Sequence, residues 1–434
     1  MSTSSRYVTS TVASPERRSQ LGYRLMLGFS FLYFLRPEDF IPGLSALHLA
    51  RITAAAAVLA LLLSTNKRLQ GGIPFEVKII VAMFGWMSLT IPFAYWRTGS
   101  LELVFVEFSK VVIVALALTF TVKRVEELRR LMFVQAFAMA LLTTVSVFAH
   151  NAVQGRLGGV NHALLENPNG LAMNVALNWP LCLVFLLTSR GLLRKSFWAV
   201  SMLVMVYAVL ATYSRAGFLA LAVAAGLCIW DFGVRGRRLY MLVGAAFCLF
   251  VCMLVVPKDY GKRLETLVGT FQEGDLDRGS AEARQDLLLL SLKVTAAHPI
   301  FGVGPGNFSP YTGFWHVTHN TYTQFSSECG VPGLLLFLIL IWGAFRNLRY
   351  VRNRSPSSGT NDLTLYASAL KAALASYILA GFFCSSAYDL FPYYLVLYTT
   401  LLYRLAHGVE TVAPQIIVKA SNTTRKRTYV LRDV

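Results

Sequence analysis

Charged side chains are scarce in this sequence: Asp, Glu, Lys and Arg make up only 14% of its 434 residues. Soluble chains carry about 25%. With 55% hydrophobic residues and a mean hydropathy of +0.54, the shortage excludes a water-soluble globule. Lipid is the natural solvent for so much apolar surface. Acids are scarcer still, 22 Asp plus Glu against 40 Lys plus Arg, which leaves a net charge of +18. A surplus of that sign raises nucleic acid as a partner. The basic residues, however, gather in short loops between apolar runs and form no continuous face, a pattern that orients a chain in a membrane. No nucleic-acid partner is expected.

Cysteine is also rare. The six cysteines have no metal or redox spacing, and no cofactor is expected. Cys182, Cys228, Cys248, Cys252 and Cys384 fall in or at the edge of apolar runs and read as small buried residues. Cys329 is expected near the outer surface without a partner. The polar first twenty residues contain no short apolar core followed by a small-residue cleavage site, so they read as a retained cytoplasmic tail. No internal repeat shows at a fixed period.

What the chain does have is apolar runs of roughly 15 to 20 residues, close to the length that crosses a bilayer. They begin with Leu21–Leu35 and end with Leu365–Phe383 and Leu390–Tyr403. The expected fold is all-α: a polytopic transmembrane helical bundle of about 12 spans with a large, partly helical periplasmic loop. The bias of Lys and Arg puts both termini in the cytoplasm. The organisation read from these runs is a cytoplasmic tail (1–20), spans one to nine (21–256), a periplasmic loop (257–330), spans ten to twelve (331–403) and a cytoplasmic tail (404–434).

A loop this long is functional or disordered, and part of it has a helical pattern. Ser280 is placed to cap a helix from Ala281 to about Ala297, with Leu287, Leu290, Val294 and Ala297 as its apolar stripe and His298-Pro299 as its stop. The following Gly302-Val303-Gly304-Pro305-Gly306 is no phosphate loop: it follows a helix and lacks the Lys-Ser/Thr of a nucleotide site. Its glycines suit tight turns and close backbone approach. Asp275-Leu276-Asp277 has the spacing of a metal-binding DxD, but reads as a solvated acidic loop. Glu107 and Lys110, three residues apart, are expected to neutralise each other within the bundle, and Lys371 to snorkel toward its helix end.

Several polar residues on the outer side are harder to explain by topology. Asn167-Pro168-Asn169-Gly170 is a turn former before a helix, with Arg156 upstream. Arg215, in Thr212-Tyr213-Ser214-Arg215-Ala216-Gly217, joins two apolar spans with hardly any loop, which is costly unless it faces water or an anion. Arg284 lies beside the apolar stripe of the loop helix. His319-Asn320-Thr321-Tyr322, with His316 just before it, abuts a span, and His319 is the natural proton acceptor. Arginine forks suit phosphate oxygens. Outside the cell there is no ATP, so a substrate must arrive activated. A polyprenyl-diphosphate-linked glycan fits, its diphosphate leaving as a hydroxyl attacks.

Arg-x-x-Gly followed by Asn-Pro-Asn, Ser-Arg-Ala-Gly, Arg284, the run from His298 to Phe308, His319-Asn320-Thr321-Tyr322 and Glu328-x-Gly330-x-x-Gly333 together resemble the O-antigen ligase/O-antigen polymerase (Wzy-type) superfamily. The likeness runs from Arg156 to Gly333. It implies an inner-membrane glycosyltransferase that needs no metal and takes an undecaprenyl-diphosphate-linked glycan as donor. It implies that Arg215 and Arg284 bind the diphosphate and that His319 activates the acceptor hydroxyl. Arg156, His316, Asn320, Tyr322 and Asn169 are the expected substrate-binding residues. Lipid A-core, a growing glycan or a protein are the acceptors it allows, with membrane lipids as surroundings. A ligase-like activity is the expected one and a polymerase the alternative. A flippase or transporter is the reading from another class, although transporters usually show repeated halves.

Overall fold

The computed structural model describes residues 15–41, 44, 49–62, 72–149, 152–153, 156–159, 167–236, 238, 240, 276–314, 317–354 and 362–407. In order, the helices are α1 (Pro15–Leu35), α2 (Leu49–Leu62), α3 (Phe75–Thr90), α4 (Arg97–Thr121), α5 (Val125–Phe148), α6 (Pro168–Thr188), α7 (Leu192–Ala211) and α8 (Arg215–Val234). Then come α9 (Leu276–Ala297), α10 (Phe308–Thr312), α11 (Thr321–Arg354), α12 (Asp362–Ala380) and α13 (390–407). The strands among the described residues are a two-stranded antiparallel ribbon, β1 (Ala152–Val153) and β2 (Arg156–Leu157). The chain is an all-α polytopic helical bundle.

Eight helices among the described residues are long and apolar enough to cross a membrane: α3 (extended to Phe93), α4 to α8, α11 and α12. Other expected spans coincide with the helices α1, α2 and α13, and residues 241–256 of the expected ninth span lie outside the described residues. The centre of the bundle is α6, packed between α7, α8 and α12, while α11 packs on α3, α9 and α12. With lipid on the outside, apolarity alone does not hold these helices together; close packing of small residues does. Gly217 on α8 illustrates this: a Cβ there would lie 2.3 Å from Cβ of Ala172 on α6.

Several local expectations need correcting. The loop helix starts at Leu276, so Ser280 lies inside it and not at its cap. Leu287 and Val294 are buried and Leu290 half-buried in a small cluster with Val303 and Phe308, but Ala297 is exposed. The helix does end before His298-Pro299. The tenth span was expected to begin at Val331. A helix does begin there: α11 runs from Thr321 but is broken at Gly330, whose φ of 71° and ψ of 178° are non-helical, so what the sequence did not show is the helical stretch from Thr321 that precedes the break. Cys329 is buried and has a partner, its Sγ lying 3.5 Å from Tyr388 Oη. Lys110 Nζ pairs with Glu107 Oε2 at 2.7 Å, on an exposed face beside the π-helical turn Leu103–Phe108 rather than within the bundle. Lys371 does not snorkel alone; its Nζ lies 2.5 Å from Asp231 Oδ2.

Candidate functional site

The segment around His319 is stitched to the chain that connects α12 to α13. Thr321 N–H donates to Gly381 O at 2.7 Å, and Thr321 Oγ1 donates to Cys384 O at 2.6 Å. Thr318 Oγ1 and Ser385 Oγ lie 2.9 Å apart, Ser386 N–H donates to Thr321 Oγ1 at 3.2 Å, and Ala387 N–H to Gln324 Oε1 at 3.3 Å. A short polar run thus takes up the unpaired backbone groups of the connection. These bonds bring Asp389, 70 positions away in sequence, onto one cavity wall with His319.

That cavity has a volume of about 250 Å³. Three helix starts line it: Asn167, Asn169 and Gly170 of α6, His319 just before α11, and Asp389 just before α13. The C-terminal end of α1 adds Tyr33 and Arg36. Helix N-termini carry partial positive charge and free N–H groups, so their convergence favours an anion. Asn167 accepts from Asn169 N–H at 2.9 Å and Pro168 occupies the first helical turn, a combination that fixes where α6 begins.

Ser-Arg-Ala-Gly explains itself in the same terms. Ser214 caps α8 by accepting from Gly217 N–H at 3.2 Å, and Gly217 lets α8 close on α6. Arg215 is thereby held at the first position of α8, next to the start of α6. Arg156, from β2, binds this corner together: its Nε donates to Thr212 O at 2.8 Å and its Nη2 to Asn169 Oδ1 at 3.1 Å. Arg284 of α9 is close enough to influence the cavity-lining Cys384. Burial pushes that thiol up to about 11, against the opposing pull of the Arg284 charge. Burial also pushes the Asp389 carboxyl up, to about 6.

The glycine-rich turn is bonded to α11: Val303 and Gly304 N–H donate to Ser327 O and Glu328 O, each at 2.9 Å. Gly302, Gly304 and Gly306 all have positive φ, as tight turns require. The buried Glu328 carboxylate accepts from Gly306 N–H at 2.9 Å, Phe308 N–H at 3.3 Å and Tyr388 Oη at 2.6 Å. The turn's N–H groups are therefore spent within the chain, Gly306 on the Glu328 carboxylate and Gly302, Val303 and Gly304 on the backbone carbonyls of His298, Ser327 and Glu328, which accounts physically for its not being a phosphate cradle. Glu328 ties α11, the turn and the 381–389 connection into one unit.

The expected residues divide in two. His319 and Asn169 line the cavity; Arg156 contacts Asn169, and Arg284 is close enough to perturb Cys384. Asn320 and Tyr322 do not line it. Asn320 Oδ1 caps α11 by accepting from Tyr322 and Thr323 N–H at 2.9 and 3.1 Å. Tyr322 Oη donates to Ile378 O at 2.7 Å while its ring lies against Phe382. His316 and Asp275 lie outside the described residues, whereas Asp277 falls in the first turn of α9. Among the described residues no group of three or more His, Cys, Asp or Glu is placed to hold a metal. Arg36 and Asp389 were missed because nothing near them in sequence marks them out.

A search of curated proteins returns no match. A family model described as Wzy_C, O-antigen ligase, matches residues 200–338, a segment that contains Arg215, Arg284 and His319. The match supports an O-antigen ligase/Wzy-type family for this multi-pass membrane protein, and with it glycosyl transfer of the ligase or polymerase type in polysaccharide biosynthesis.

Proposed function

We propose that this chain transfers a glycan from an undecaprenyl-diphosphate carrier to an acceptor hydroxyl on the periplasmic face of the inner membrane, as a ligase-like enzyme. The observation that carries the reading is the cavity on which His319, Asn169, Arg36 and Asp389 converge. His319 takes the proton of the acceptor hydroxyl. The oxygen then bonds to the anomeric carbon as the bond from that carbon to the phosphate oxygen breaks, and the carrier diphosphate leaves with the electron pair. The imidazolium afterwards gives its proton to water. Arg215 and Arg284 hold the diphosphate as its charge develops, with Arg156 ordering the corner between them and Asn169. The helix N-termini around the cavity add to the same field. Asp389 shares the wall with His319 and is the second group able to hold a proton there.

The donor half of this chemistry is common to a ligase and a polymerase, so the acceptor separates them. Purified protein in proteoliposomes, given a polyprenyl-diphosphate glycan and lipid A-core, tests the reading. Transfer is expected for the wild type, also in EDTA, and none for Arg215→Ala at equal abundance in the membrane. Product on lipid A-core supports the ligase, and extension of the glycan itself supports the polymerase. Normal transfer by Arg215→Ala would remove the assigned role.

A further inference from the structure

A second cavity, of about 480 Å³, has no part in the transfer chemistry. It lies where α8 ends, where α11 ends and near the start of α12. Helix α8, 20 residues long, spans roughly 30 Å at 1.5 Å per residue. Arg215 stands at one end of it and Asp231 near the other, so the two cavities sit at opposite ends of the bundle.

Five cations line this cavity against a single acid: Arg235, Arg238, Arg349, Arg352 and Lys371 around Asp231. Asp231 is already engaged twice, by Lys371 Nζ at 2.5 Å and by Arg352 Nη2 at 3.0 Å. Among the described residues, Arg235, Arg238 and Arg349 have no acid partner within salt-bridge distance. Nη1 of Arg238 is also shielded from solvent without a hydrogen-bond partner. Basic residues at one membrane face are ordinary in exposed loops. Their convergence from three helices on a cavity, with a shielded guanidinium donor unmet, is not explained by orientation alone. Guanidinium forks match the oxygens of a phosphate, and basic pockets between spans take phosphorylated headgroups.

We infer that this second cavity binds a phosphate-bearing anion, either an anionic phospholipid headgroup or a soluble phosphate compound. The test uses the full chain in neutral-lipid nanodiscs and in the Arg215→Ala background, so that the His319 cavity contributes little. Phosphatidylglycerol is added to the nanodisc lipid in one arm, and inorganic diphosphate is titrated in the other. Saturable binding is expected in at least one arm. The Arg238→Gln/Arg349→Gln pair is expected to weaken it about tenfold or more, and Arg190→Gln, an exposed arginine outside the cavity, to leave it unchanged. Arg349→Gln alone, at an exposed position, should weaken it several-fold and serves if the pair does not fold. Binding in the lipid arm alone identifies a headgroup, and binding in the diphosphate arm a soluble phosphate. No binding in either arm, or equal binding by Arg349→Gln, would overturn the inference.

Discussion

Arg36, Tyr213 and His319 are the described non-glycine residues with positive φ, at 52°, 51° and 50°. Each such residue costs of order 1 kcal/mol and persists only where its surroundings fix it. Arg36 and His319 line the cavity, and Tyr213 sits between Thr212, which accepts from Arg156, and the capping Ser214. The backbone is thus strained where the side chains must converge. His319→Gly is expected to change stability by less than about 1 kcal/mol, because relief of the positive φ is offset by the entropy glycine loses on folding, while abolishing transfer. Thermal unfolding beside a transfer assay checks both halves. Asp389 gives a pH-dependent test. Burial raises its carboxyl from 3.8 to about 6, so the neutral form is favoured in the folded protein. Ionising it costs stability; the cost is absent below about pH 4 and reaches its full size, roughly 3 kcal/mol, above about pH 6. Asp389→Asn should therefore unfold at a higher temperature than wild type at pH 7.5, lose that advantage at pH 4, and transfer more slowly. A lower unfolding temperature at pH 7.5 would contradict the burial argument. His319 and Arg215 were legible as chemistry in the sequence because one stands in a polar run abutting a span and the other between two apolar spans with hardly any loop. Asp389 was not, because what makes it part of the site is a set of hydrogen bonds to residues some 60 positions away.

At the scale of elements, the site depends on two close approaches. Glu328 satisfies three donors from two other segments while buried. Glu328→Gln leaves one of them facing an amide N–H and should destabilise by about 1–3 kcal/mol. Transfer should fall with it, since the turn and the 381–389 connection lose their common anchor. Gly217→Val places a branched side chain against Ala172 and should push α8 off α6. About 1–3 kcal/mol is lost by such overpacking. Transfer should drop more than abundance does, because Arg215 moves with α8; equal losses in transfer and abundance would mean that packing alone is at stake. The sequence revealed the close-approach glycines of the 302–306 turn, and it placed the end of α9 correctly at His298-Pro299. It misplaced the start of α9 by several residues, since Leu276-Asp277-Arg278-Gly279 has no apolar periodicity and Ser280 looked like a cap. The break at Gly330 fell where a span was expected to begin, because a glycine with Pro332 two positions later reads equally as a start or a kink.

Across the whole molecule, the helices separate two kinds of charge: a cavity of helix N-termini and His319 at one end, and an arginine-lined cavity at the other. Composition made the all-α membrane bundle plain, since apolar runs of spanning length leave few other solutions. The packing order was not legible, because small-residue contacts such as Gly217 on Ala172 carry little hydropathy signal. The separation of the two ends has a practical consequence. Changes in the arginine-lined cavity should alter anion binding, and changes around His319 should alter transfer. The decisive measurement is transfer by His319→Ala in proteoliposomes, with a polyprenyl-diphosphate glycan donor and with membrane abundance matched to wild type. Loss of transfer by at least two orders of magnitude, the lower end of what a general base contributes, is expected with the donor still bound. Transfer within a few-fold of wild type would contradict the assignment of His319 and, with it, the cavity as the site of reaction.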